Sequence, residues 1–129
     1  MIRLTVFWFL LGSAAYAEAV EVPSGQPVTF VEVIQNVAGP LGLTYRFRFV
    51  APLIARDGGA VDNETAAMDM DFLCSDFAIE KLPATGPAPN QIIISMSDRR
   101  IDFGEPAPEA TQFFEAYAIV DDSCIWEAF

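Results

Sequence analysis

The alternation of apolar and polar side chains is clearest over 43–50, where Tyr45, Phe47 and Phe49 point one way and Thr44, Arg46 and Arg48 the other. That period of two predicts a strand with one buried face, ended at Ala51-Pro52 because proline cannot continue a central ladder. A second strand is predicted over 91–97, with Ile92, Ile94 and Met96 on one face and Ile93, Ser95 and Ser97 on the other. Turn chemistry at 23–27 (Pro-Ser-Gly-Gln-Pro) separates the short extended run 20–22 from the β-branched run 28–34, predicting two paired strands. Glycines and Pro40 predict a loop over 36–42, and Asp57-Gly58-Gly59 predicts another over 53–61. The period then changes. Ala66, Met70, Leu73, Cys74 and Phe77 share one helical face, Asp62 or Asn63 can cap it, and a helix over about 63–79 follows. Asp76 and Glu80 oppose the macrodipole near its C-terminus and predict fraying there.

Beyond a proline-rich loop at 83–89, the pattern is shorter and less regular. Asp98-Arg99-Arg100 reads as a turn into a short strand at 101–103, and 109–113 holds at most a turn of helix. Strands over about 114–120 and 124–129, joined by Asp121-Asp122-Ser123, form a C-terminal hairpin. One amphipathic helix with six or seven short strands makes an α+β fold, an antiparallel sheet carrying the helix on one face, in a single domain over 18–129.

The first seventeen residues read differently from the rest. A cationic start at Arg3, an apolar run over 4–12 and the small residues Ser13-Ala14-Ala15-Tyr16-Ala17 have the three-part order of a secretory signal peptide cleaved after Ala17. The apolar run is well short of the roughly 20 residues that a membrane-spanning helix needs. The expected location is a periplasm or the extracellular space, with no stable membrane anchor after cleavage. Export also decides how the two cysteines read: Cys74 and Cys124, in a small exported domain, are expected to form one disulfide. A reactive thiol would need a C-x-x-C motif, a histidine or a basic cluster beside it, and none is present.

Composition narrows the chemistry. Eighteen acidic and seven basic side chains give the 129-residue chain a net charge of −11, and loss of Arg3 with the leader makes it −12. A basic footprint for nucleic acid or anionic membrane is therefore missing. The sequence contains no histidine, which removes Ser/His and Cys/His hydrolases and histidine-ligated metal sites, and Lys81 is the one lysine available for Schiff-base chemistry. No P-loop, G-x-G-x-x-G or G-x-S-x-G motif occurs. No cofactor is implied. Arg46 and Arg48, on one strand face, are candidate anion-binding residues, with Arg99 and Arg100 in a turn elsewhere. In so acidic a chain, outward arginines are also expected to pair with nearby carboxylates. Asp57, Asp62, Asn63, Glu64, Asp69 and Asp71 are of the right type for calcium, but their spacing does not match an EF-hand loop, and a solvated helix face with an N-cap accounts for them. The aromatics Tyr45, Phe47, Phe49, Phe113, Phe114, Tyr117, Trp126 and Phe129 suit a core better than a binding platform.

The segments LTYRFRFVAP, IIISMSDR and ATQFFEAYAIVDDSCIWEAF, behind a signal peptide, resemble a family of small exported bacterial proteins of unknown function. Some relatives carry the label acetolactate synthase; such enzymes are long, multidomain, cytosolic thiamine-diphosphate proteins, which this chain does not resemble. The resemblance implies no catalytic residue. The expected function is a non-catalytic binding or accessory role toward an envelope or extracellular partner. A carboxylate-pair hydrolase and a structural envelope protein are the alternatives.

Overall fold

The computed structural model describes residues 17–39 and 42–128, together with Thr5. The leader expected over 1–17 thus lies, but for Thr5 and Ala17, outside the described residues, as does Phe129.

Among the described residues six strands lie side by side in sequence order: β1 (Glu18–Val20), β2 (Val28–Gly39), β3 (Gly42–Val50), β4 (Gln91–Ser97), β5 (Gln112–Val120) and β6 (Ser123–Glu127). Among the described residues one long helix, α1, runs over 63–85 between β3 and β4, after a single 3-10 turn at Pro52–Ile54, and packs on one face of the sheet, so the fold is α+β as expected. Neighbouring strands are antiparallel except β3 and β4, which are parallel. The parallel pair is allowed by connectivity: 51–90, which contains the helix, is long enough to return the chain to the end at which β3 began.

The described elements depart from the sequence reading in several places. β1 lies at Glu18–Val20, two residues before the predicted run, and β2 continues to Gly39 through residues assigned to a loop. Two register shifts, between Phe30 and Glu32 and between Ile34 and Val37, let this long strand follow the sheet's twist. Residues 101–103 form no strand, because they cross the outer face of the sheet and the Ile101 carbonyl accepts from Arg48. Only a turn precedes β5, which begins at Gln112, and β6 ends at Glu127.

The helix is longer than its apolar stripe predicted. Asp62 caps it, accepting from the Thr65 N–H at 2.8 Å. It is α-helical over Asn63–Phe72, π-helical over Leu73–Ala78, and α-helical again over Ile79–Thr85. It continues through Asp76 and Glu80, where fraying was expected, and takes Pro83 into its last turn. Pro83 lacks an N–H, so it costs one ladder bond, and near a terminus that loss is not compounded by turns beyond it. Lys81 fastens this end to the sheet: its Nζ lies 3.0 Å from Glu18 and 4.7 Å from the Phe77 ring centroid. No described helix is long and apolar enough to cross a membrane.

Between helix and sheet, Ala66, Met70, Leu73 and Cys74 meet Tyr45, Phe47, Phe49, Ile92, Ile94, Met96 and Tyr117, all buried. Phe30, Phe47, Phe49 and Phe77 add tilted and edge-on ring contacts at centroid separations of 5.1–6.1 Å. The aromatic residues divide, however. Phe114 and Trp126 are exposed, so the expected core set is only partly core. Two polar ties cross the same layer. Tyr117 donates to Asp71, and burial, followed by that hydrogen bond, raises the Tyr117 pKa above its ordinary value. Asp69, expected on the solvated face of the helix, is completely buried. It accepts from the Ser24 N–H at 3.0 Å, from the Ser24 hydroxyl and from Gln26 Nε2 at 2.7 Å, which pins the turn between β1 and β2 to the helix.

The Cys74–Cys124 disulfide is formed, with its Cα atoms 6.2 Å apart. It joins the π-helical middle of α1 to β6.

Candidate functional site

The face of the sheet away from the helix carries the other half of the β3 alternation. Thr44, Arg46 and Arg48 project there because Tyr45, Phe47 and Phe49 fill the core. Strand register sets their neighbours. Ile34 of β2 and Ile93 of β4 stand beside Arg46, while Glu32 and Ser95 stand beside Arg48. One strand further, Phe114 and Ala116 of β5 are paired with Ser95 and Ile93.

The loop between β4 and β5 then folds back over this face. Its base is closed by the Asp98 N–H donating to the Thr111 carbonyl at 3.0 Å. Arg56 Nη2 supports the far limb, donating to the carbonyls of Ala110 at 2.9 Å and Pro108 at 3.2 Å. At the loop's apex, the Phe103 ring lies 5.5 Å from the Arg46 guanidinium and 5.6 Å from that of Arg48. Phe114 lies 5.4 Å from Arg46, which is therefore flanked by two rings.

Arg46 and Arg48, which the sequence grouped as one candidate pair, have different circumstances. Arg48 is engaged: it is ion-paired with Glu32, donates to the Ile101 carbonyl, and is only 13% exposed. The cavity between Arg48, Arg99 and Arg100 is about 10 Å³, room for no more than one water. Arg99 is paired with Asp98, whose carboxyl is held below its ordinary pKa chiefly by the Arg99 hydrogen bond. Arg46 has no carboxylate or carbonyl acceptor among the described residues, and its Nε is buried without a hydrogen bond. Burial first, and the charge of Arg48 second, pull its pKa below the ordinary arginine value. A guanidinium held between rings with its donors unused can accept a carboxylate or phosphate edge-on while an apolar body rests on Phe103 and Phe114.

Phe103 escaped the sequence reading because it was placed in a short strand. The signal that marks it is an aromatic residue between Asp102 and Gly104, in a segment without its own periodicity. Glu32 was missed because its position opposite Arg48 depends on the first bulge in β2.

The remaining candidates are dispersed. Asp62 caps the helix, Asp71 accepts from Tyr117, and Asp69 lies inside the protein. Among the described residues, no three His, Cys, Asp or Glu side chains converge as metal ligands. Larger hollows lie elsewhere. One of about 520 Å³ is bounded by Arg56, Asp62 and Thr111, and one of about 410 Å³ by Leu82, Pro89 and Ile119; neither reaches Arg46.

No curated protein and no solved structure matches the chain. Residues 8–129 match a family of unknown function (DUF6497), and the chain belongs to that family.

Proposed function

We propose that this protein is an exported, non-catalytic binding or accessory module of the cell envelope, which recognises an anionic group on its partner through Arg46. The observation that carries the reading is the buried, unaccepted Nε of Arg46 between Phe103 and Phe114. A cation taken partly out of water without an acceptor is unfavourable in the free protein, and an incoming anion relieves that cost. The net charge of −11 repels small anions at long range. It therefore favours ligands whose carboxylate or phosphate is attached to an apolar body that docks on the two rings. Export is supported by the order of cationic, apolar and small residues over 1–17, and a disulfide is consistent with an oxidising compartment.

Protein produced with its leader and recovered from a periplasm should begin at Glu18 on N-terminal sequencing; recovery with Met1 intact counts against export. Titration of that protein with benzoate and with inorganic phosphate, followed through the Arg46 Nε–Hε resonance and, in every variant, the backbone amide resonances of Phe103 and Phe114, should give a saturable shift. Benzoate should bind more tightly, in the millimolar range that one charge-assisted contact supports. Arg46→Leu should weaken benzoate binding about tenfold or more, the equivalent of one hydrogen bond to a charged group. The same variant should unfold at an equal or higher denaturant concentration, because it removes an unpaired half-buried charge. Unsaturable shifts with both anions, or binding equal in Arg46→Leu, would overturn the reading.

A further inference from the structure

We infer that β6 is a docking edge, on which an extended, cationic segment of a partner protein adds as a seventh strand. The inference shares with the proposed function only the idea of a binding role, and it does not use Arg46.

β6 ends the sheet, with β5 on one side and no described strand on the other. Asp121 and Asp122 both have positive φ, 50° and 58°, the conformation of a two-residue turn that joins Val120 directly to Ser123. Such a turn closes on a hydrogen-bonded pair, and antiparallel pairs alternate. The N–H and C=O groups of Ser123, Ile125 and Glu127 therefore face β5, while those of Cys124 and Trp126 face outward. Natural edge strands are usually protected by lysine, proline, a bulge or extreme shortness. β1, at the opposite edge, has only three residues. β6 has five residues, contains neither lysine nor proline, and pairs with β5 without a register shift.

Its side chains are arranged for contact. Ile125 is 51% exposed and Trp126 57%, and they project to opposite faces of the sheet. The indole is not loose, because its N–H donates to Glu115 at 2.6 Å. The strand itself is fixed to the helix by the disulfide at Cys124, so little freedom is lost when a partner binds. An ordered tryptophan beside unpaired backbone groups is what strand addition uses: backbone bonds for affinity and side chains for selection.

Charge selects the occupant. Asp121, Asp122, Glu115 and Glu127 surround the strand, on a chain of net charge −11. Pairing β6 with its own copy about Ile125 would bring Glu127 beside the partner's acidic turn, opposing like charges. A strand with lysine or arginine at alternate positions meets this rim favourably instead.

The probe is an acetylated nine-residue peptide of alternating lysine and valine, with its glutamate counterpart as comparison. The lysine peptide should shift the amide resonances of Cys124 and Trp126 saturably and slow their hydrogen exchange, and the glutamate peptide should do neither. Trp126→Pro removes one outward N–H and the indole with its bond to Glu115, but no backbone bond to β5, and leaves the charges of the acidic rim unchanged. It should weaken the lysine peptide at least about tenfold, a loss that non-specific charge attraction would not produce. Ile125→Lys, which preserves the backbone, should also weaken binding and serves if the proline variant fails to fold. Equal binding of both peptides, undiminished binding by the variants, no binding at 1 mM peptide, or self-association through β6 in sedimentation would each overturn the inference. Neither substitution touches the benzoate titration, so failure here and failure of the Arg46 reading are separately visible.

Discussion

Replacing Cys74 and Cys124 together by alanine should lower the free energy of unfolding by about 4 kcal/mol, the chain-entropy value for closing a loop of this size. The bridge spans 50 positions, so the unfolded chain that it constrains loses a large share of its conformations. The native state depends on it locally as well. β6 lies at the edge of the sheet, and its Ile125 and Trp126 are exposed, so few apolar contacts hold it down. Alanine at 74 remains compatible with the buried helical site, which keeps the effect attributable to the bridge. Urea unfolding should give a markedly lower midpoint for the double variant, and reduction of the wild-type protein should reproduce it. A small domain has only about 5–15 kcal/mol in all, so the loss is a large fraction of its stability. Coincident midpoints, with two free thiols by alkylation and mass measurement in protein from a periplasm, would refute the bridge.

Asp69→Ala should destabilise the protein by roughly 3 kcal/mol, the order expected when several buried donors lose their acceptor. Its carboxylate is fully buried and accepts three hydrogen bonds, two from Ser24 and one from Gln26. Truncation leaves those donors facing a void, and the unmade bonds weigh more than the space itself. At about 4 °C per kcal/mol for a chain of this length, the thermal midpoint should fall by more than about 10 °C. Asp69→Asn keeps the volume but turns one amide N–H₂ toward a donor, so it should fall between wild type and alanine. Ser24→Ala should cost about 1 kcal/mol, an ordinary hydrogen bond. A thermal midpoint for Asp69→Ala within 2–3 °C of wild type would show that the turn between β1 and β2 is not held by this carboxylate.

Asp69 also marks where sequence periodicity stops informing. Ala66, Asp69, Met70 and Leu73 are spaced by three, one and three, so the buried stripe extends past its apolar members to an aspartate that the apolar pattern had left with the solvated acids. What the pattern could not announce was its partners, because Ser24 and Gln26 are more than forty positions away. The alternation of β3 and β4 was legible for the same reason that the stripe was: each face has one environment, and the side chains repeat with the pleat. The parallel pairing of β3 with β4 was not legible, since it depends on where a long crossover returns the chain. The candidate site divides likewise. Both arginines were visible on one strand face, but only the bulge in β2 places Glu32 opposite Arg48, and only the folded-back loop brings Phe103 to Arg46. One of two apparently equivalent arginines is thereby neutralised and the other left with its donors unused.

The disulfide has a consequence for survival among proteases. Cys74 and Cys124 bracket the exposed loop between β4 and β5, so a peptide bond cut at Asp102, Phe103 or Gly104 falls inside the covalent ring. The two pieces then stay joined through sulfur and remain aligned by the seven paired positions of β4 and β5. Such a cut releases Phe103 from Arg46 and alters recognition, yet leaves the molecule in one piece, a tolerance that a chain without the bridge would not have.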